Sequence, residues 1–296
     1  MRIIKLLLIL CSVLLCFESW SQDLKFKTFA GTTRYYGDLA PYSFINASSE
    51  AHFSLGASVG LQINDFYSLN LRYLAAKISG NDALSTNPSK RSRNLRFESP
   101  INEIGLINEI NINNLLWNGK SKYGIHFILS AGINLYNFNP RTDLNGNTYF
   151  LQPLGTEGQG LEGGDENLYE LTQWNIPYGL NIEFRINDNL NMGIEVSSRY
   201  TFTDYLDDVS SNYPDYELLS ESRGEIALAL SNRMSELPGS TNIAEPGDPR
   251  GDPSSNDWYL VTGVYLSYYF GPNPIDIKKK EDEDTEAYNS LIFPNN

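Results

Sequence analysis

The chain has 296 residues, with 36 acidic against 22 basic side chains, a formal charge of −14, and 41% hydrophobic and 12% aromatic residues. That length allows one large β domain or two smaller ones. The acidity leaves no basic stripe to neutralise phosphates, which excludes nucleic acid as an expected partner.

The opening stretch, MRIIKLLLILCSVLLCFESWSQ, has a basic start (Arg2, Lys5), an apolar run from Ile3 to Phe17, and small residues at Ser19 and Ser21. It reads as a secretory signal peptide over residues 1–21. Its apolar run falls short of the roughly 20 residues of a spanning helix. Cys11 and Cys16 both lie inside it, and Leu15 is too bulky for lipoprotein cleavage before Cys16. The exported chain then has no thiol, disulfide or cysteine metal site. It keeps 20 basic and 35 acidic residues, a charge of −15. No later apolar run is long enough for a transmembrane helix, so membrane residence requires a closed β-barrel, which satisfies every backbone group internally.

Segments of period two, the signature of strands, follow in order. The first, Leu24 to Tyr36, is the least regular. The second sets Phe53, Leu55, Ala57, Val59, Leu61 and Ile63 against His52, Ser54, Gly56, Ser58, Gly60 and Gln62. The third follows Asn64-Asp65, with Tyr67, Leu69, Leu71 and Tyr73 opposite Ser68, Asn70 and Arg72. The fourth runs from about Leu95 to Ile112, with Glu103, Gly105, Glu109 and Asn111 on its polar face. The fifth spans Tyr123 to Leu135 and turns Gly124, His126, Ser130, Gly132 and Asn134 to that face. The sixth and seventh, Trp174–Ile186 and Leu190–Phe202, form a hairpin with Glu183, Arg185, Glu195 and Arg199 on the polar side. The last runs from Trp258 to Phe270 with Gly263 and Ser267 opposite its apolar row. Pro177 falls mid-strand, and a closed barrel has no free edge, so a bulge is expected there. Pro100 is expected to mark the start of the fourth strand.

Short links (64–65, 113–121, 187–188) alternate with long polar loops (37–50, 77–94, 139–173, 204–257). Every long loop therefore leaves the same end of the sheet. The prediction is all-β: an eight-stranded antiparallel transmembrane β-barrel, residues 22–270, with long extracellular loops and short periplasmic turns in the outer membrane. Aromatics near strand ends fit two girdles at the lipid–water interfaces: Tyr35, Tyr36, Phe66, Tyr67, Tyr123, Tyr136, Phe138, Trp174, Tyr200, Phe202, Trp258, Tyr268 and Tyr269. Outer-membrane lipid is the expected partner of the apolar rows.

An eight-stranded barrel is just wide enough for its side chains to fill it. Arg72, Glu103, Glu109, Glu183, Arg185, Glu195 and Arg199 are expected to pair inside as a charge network rather than line a pore. His52 and Ser54 share a face at the long-loop end, an arrangement that lipid-acyl hydrolases use. It is weak, since any two strand residues two apart share a face. His126 fits a network member better. No metal cluster, phosphate loop or Cys/His dyad appears, so neither catalysis nor a cofactor is expected. RGDP at Arg250–Pro253 matches an adhesion tripeptide, yet its residues are also those of any solvated loop. DLNGN from Asp143 resembles part of a calcium loop without its later acidic ligands. TDYLDD at 203–208 reads as a solvated strand end in preference to a calcium site. Residues 216–237, with Ile226, Leu228, Leu230 and Met234, read as a short amphipathic helix broken near Gly224. The tail, residues 271–296, carries mixed charges that predict disorder in the periplasm. Its Ile275, Ile277, Lys278, Lys279, Lys280, Leu291, Ile292 and Phe293 make either a docking peptide or a frayed end.

Three stretches, FAGTTRYYGDL, SSRYTFTDYLDDVS and RGDP followed by NDWYLVTGVYLSYYF, resemble the PorG-like outer-membrane barrels of the Bacteroidota, in order and over almost the whole exported chain. The resemblance implies an accessory part in the type IX secretion system, tying a periplasmic ring, made of a lipoprotein and its partner, to the outer membrane. That system exports folded cargo and, in gliding members, adhesins. The family also holds paralogues of unknown role. The alternative expectation is a surface adhesion or binding barrel acting through its long acidic loops.

Overall fold

The computed structural model describes residues 24–40, 49–117, 124–240 and 243–271. Its strands are β1 (Leu24–Tyr36), β2 (His52–Asn64), β3 (Tyr67–Asn81), β4 (Arg96–Asn111), β5 (Ile125–Phe138), β6 (Arg141–Leu144), β7 (Asn147–Phe150), β8 (Thr172–Arg185), β9 (Leu190–Thr201) and β10 (Trp258–Tyr269). Helices α1 (Pro88–Arg93), α2 (Ile112–Trp117), α3 (Tyr216–Arg223) and α4 (Glu225–Ser231) lie in the connections. β1 pairs with both β2 and β10, and the ladder runs on through β3, β4, β5, β8 and β9 back to β10, all antiparallel. This closes an eight-stranded barrel with no free edge.

The period-two pattern sets the two surfaces. On β9, Ile194 is 48% exposed while Glu195 beside it is 2% exposed. Leu71, Ile104, Leu129, Leu180 and Val264 repeat the exposed apolar row around the ring, and Asn70, Glu103, Asn134, Asn181 and Ser267 repeat the buried polar one. Such an inside-out distribution has no stable solution in water, where a continuous apolar belt of this extent would associate. In a bilayer it is the required one. No helix among the described residues is long and apolar enough to span a membrane, so only the strands can do so.

The apolar core sits at the long-loop end. Tyr35, Leu74, Ile78, Ile101, Tyr136 and Phe138 close the barrel mouth from inside, and Leu39, Leu206, Val209 and Leu230 come down on them from the loops. The loops thus form a packed cap. Tyr35, Tyr136, Phe138 and Tyr269 point into the barrel and do not join an outer girdle, whereas Tyr36, Phe66, Trp174, Tyr200, Phe202, Trp258 and Tyr268 lie outside. Gly31 and Gly263 face each other across β1 and β10. A Cβ on Gly31 would lie 2.6 Å from the Phe29 ring and 2.7 Å from the Gly263 Cα, so the pair makes room for that ring.

Several expectations are corrected. Pro177 causes no bulge: its register with Arg199 is regular, and β5 keeps one register on either side, Ala131 with Tyr178 and Asn134 with Asn175. The missing N–H is absorbed by a gap in the ladder. The register shift falls between Gln62 and Asn64 instead. Pro100 does not start β4, which extends back to Arg96. It pairs with Lys77, while the ladder to β5 begins only at Ile101, so Pro100 has no donor to supply there. β3 continues to Asn81, beyond the expected loop boundary. DLNGN is the turn of the β6–β7 hairpin, with Asn145 and Gly146 at φ 52° and 79°. Both left-handed residues are what a tight hairpin turn demands. The 216–237 segment does break at Gly224, but Leu219, Ala227 and Leu230 form its buried face and Ile226 is exposed.

Candidate functional site

Inside the barrel the polar side chains stack in three tiers. Nearest the short turns, Glu109 of β4 accepts from Lys25 and Lys27 of β1, each at 2.5 Å, and Lys25 also donates to Ser68 at 2.7 Å. The Tyr265 hydroxyl donates to Glu183 at 3.0 Å, and Asn191 donates to the same carboxylate. Lys27 sits 4.2 Å from the Tyr265 ring centroid. In the middle tier Arg72 meets Glu195 at 2.5 Å and lies over the Phe29 ring. Above it Glu103 takes Arg199 Nε at 3.3 Å, Asn134 at 3.2 Å and the Tyr259 hydroxyl.

Lys25, Lys27, Arg72 and Arg199 therefore balance Glu103, Glu109, Glu183 and Glu195. Buried ions persist only when compensated: Glu103, Glu109 and Glu195 each meet a cation, and Glu183 is held by Asn191 and the Tyr265 and Tyr269 hydroxyls. At the short-turn end a cavity of about 20 Å³ remains beside Lys25 and Glu183, room for a single water. Of the seven expected interior charges, Arg185 stands apart: it pairs with Asp188 in the β8–β9 turn. His126 is buried with Nδ1 near Asn111 at 3.1 Å.

The network's missing half lay in β1 and β10. Lys25 and Lys27 flank Phe26, and Tyr259, Tyr265 and Tyr269 share parity with Gly263 and Ser267. The same alternation would have found them. The bonds of Asn134 and Asn175 across β5 and β8 carry no sequence signal.

The cap holds a second set of buried charges, and the motifs read as solvated loop belong to it. Arg250 of RGDP is 3% exposed; its Nη1 donates to Glu157 at 2.9 Å and to the Asp208 carbonyl at 2.6 Å, and its Nε to the Ser231 carbonyl at 3.1 Å. It is a structural clamp with no face left for a receptor. Arg93 grips Asp82 through Nε and Nη2, both at 2.8 Å. TDYLDD is not a solvated strand end, since Asp204, Asp207 and Asp208 are all buried. Tyr35 Oη lies 2.6 Å from Asp207 and 2.7 Å from Asp257. One hydroxyl proton cannot serve two carboxylates, so this cluster retains a further proton. Burial first, then the neighbouring Asp38, pushes the Asp207 carboxyl up to about 8. Burial, then Asp207 and Asp204, raises Asp257 well above the carboxylate range. Among the described residues no group of three or more His, Cys, Asp or Glu is arranged to hold a metal.

His52 does not engage Ser54, whose hydroxyl is buried and unpartnered. Its Nε2 lies 2.7 Å from Ser79 Oγ, and Ser79 in turn donates to Glu50. An acyl-transfer triad needs the acid on the imidazole's other nitrogen. Here the acid holds the serine, so the trio is not in triad order. The expected docking residues Ile275, Ile277, Lys278, Lys279, Lys280, Leu291, Ile292 and Phe293 lie outside the described residues, as does the leader.

The sequence matches the family described as Domain of unknown function (DUF6089) over residues 2–225. The chain belongs to that family. The DUF6089 match stops at the start of α4, before β10 closes the ring. No curated protein matches the sequence. Among solved structures, Neisserial surface protein A (NspA) is similar over 83% of this chain and 96% of its own, at 10% identity and a TM-score of 0.40. The N-terminal β-barrel domain of Pseudomonas aeruginosa OprF is similar over 83% and 98%, at 10% identity and 0.34. The outer membrane protein OprG of Pseudomonas aeruginosa follows over 84% and 97%, at 9% identity and 0.33. The closed ring and its lipid-type exterior make this DUF6089 chain a small outer-membrane β-barrel.

Proposed function

We propose that the protein is a non-enzymatic, non-conducting accessory component of the type IX secretion system that anchors a periplasmic ring to the outer membrane. The observation that supports it best is the filled interior: paired charges occupy the space a substrate would need, so function falls to the two ends. The short-turn end carries α2, where Leu115 and Leu116 are exposed, and Gly271, from which residues 272–296 continue. The turns at that end, with the chain continuing from Gly271, suit a periplasmic partner, which the sequence resemblance supplies as the ring lipoprotein and its companion.

The test is purification of the tagged protein from native outer membranes in mild detergent, with mass spectrometry of what accompanies it. Near-stoichiometric ring lipoprotein and partner are expected, and both should be lost when residues 271–296 are deleted. Recovery of the barrel alone would sink the proposal. A second reading, surface binding through the long loops, is favoured by the packed cap: Arg250 and Arg93 fix loops far apart in sequence. Cells with the loops shaved would then lose attachment to a surface while keeping secretion.

A further inference from the structure

Beside the barrel mouth, a cleft of about 350 Å³ opens between the end of β1, α1 and the approach to β10. Its wall is an aromatic pair. Tyr36 and Trp258 are partners across the β1–β10 ladder, and their rings stack with centroids 4.0 Å apart and planes 4° from parallel. Trp258 remains 37% exposed. Around the pair stand Asp38, Lys90, Asp252 and Asn256. The rim is built before any ligand arrives: the Asp252 N–H donates to Asp38 Oδ2 at 2.8 Å, and Lys90 Nζ donates to the Asp38 carbonyl. These bonds tie three separate loops together.

A lipid-interface girdle accounts for exposed Trp and Tyr. It does not account for a polar-rimmed cleft alongside them. The rim's chemistry narrows the occupant. Asp38 and Asp252 disfavour a phosphate, and Lys90 disfavours a bare cation. What remains is a neutral molecule with an apolar face for the rings and hydroxyls for the Asp252 carboxylate and the Asn256 amide. A cleft of this volume is at the lower end of the range for small-ligand sites, about 300–1,000 Å³.

We propose that this cleft binds a saccharide unit, the sugar ring lying against Trp258 with its hydroxyls on Asp252 and Asn256. The sugar can come from the headgroup of an outer-leaflet glycolipid or from a soluble glycan. The inference is independent of the ring-anchoring proposal, whose surface is at the opposite end. It gives the surface-binding reading a ligand class, and purified protein can bind sugar even if intact cells show no loop-dependent attachment.

The full exported chain, purified in detergent, is titrated with delipidated lipopolysaccharide core oligosaccharide and with neutral maltose and chitin oligosaccharides, following tryptophan fluorescence and calorimetry. Saturable binding is expected, weakened at least tenfold by Trp258→Ala and severalfold by Asn256→Ala. Asn256 is an exposed loop position, so its variant keeps the test open if Trp258→Ala fails to give the heat-shifted gel band of a folded barrel. Binding of the core oligosaccharide alone assigns the site to glycolipid, and binding of the neutral oligosaccharides assigns it to soluble glycan. No binding of either by the folded protein, or binding unchanged in both variants, overturns the proposal.

Discussion

Glu103 shows how the interior depends on single residues. Its carboxylate receives Arg199, Tyr259 and Asn134 from three different strands, and Arg199 is wholly buried. Glu103→Gln keeps the shape and removes the charge, leaving the Arg199 guanidinium without the carboxylate it is ion-paired to. Breaking one partner of such a pair costs about 3–5 kcal/mol, so the urea midpoint of unfolding, read from the folded gel band, should fall clearly. An unchanged midpoint would mean Arg199 is compensated by water. The cap makes a pH-dependent contribution of its own. Burial first holds Asp207 up to about 8 and raises Asp257 well above the carboxylate range, against about 4 in an unfolded chain. The folded cap thus keeps protons that the unfolded chain releases. Its stabilisation is complete below about pH 4 and is lost as pH rises through about 8. Amide protection over residues 204–209, corrected for intrinsic exchange, should therefore fall between pH 6 and pH 9. Protection that rises over that range would contradict the shared-proton cluster.

Among the elements, the β6–β7 hairpin isolates a backbone effect. Gly146 has φ +79° and nothing within 4 Å of a Cβ built there. Gly146→Ala should cost about 1–2 kcal/mol from the left-handed conformation alone. Faster exchange confined to residues 141–150, with the barrel's midpoint unchanged, is the expected result. This element also shows where sequence reasoning stops. The barrel strands were legible because lipid outside and paired charge inside impose an alternation that neighbouring residues reveal. The Asn145-Gly146 turn carried an equally local signal, obscured by its likeness to an ion-binding loop. Arg250 carried none. Its partner Glu157 is 93 residues away, and nothing in RGDP distinguishes a solvated loop from a clamp. His52 likewise finds Ser79 across strands in place of Ser54 beside it.

At the scale of the whole molecule, ring closure, an apolar exterior and a charge-balanced interior describe an outer-membrane barrel, and the filled interior is the ground for proposing that it conducts nothing. Its two ends are free to differ: a packed cap with a polar-rimmed aromatic cleft at one, short turns and a continuing chain at the other. The measurement closest to this claim is conductance of the purified protein reconstituted in a planar bilayer. The wild-type barrel should insert, as judged by its heat-shifted gel mobility, and give no steady ion steps at moderate voltage. Reproducible single-channel steps from folded wild-type protein would show that the network does not fill the interior, and the case for a non-conducting accessory barrel would fall with it.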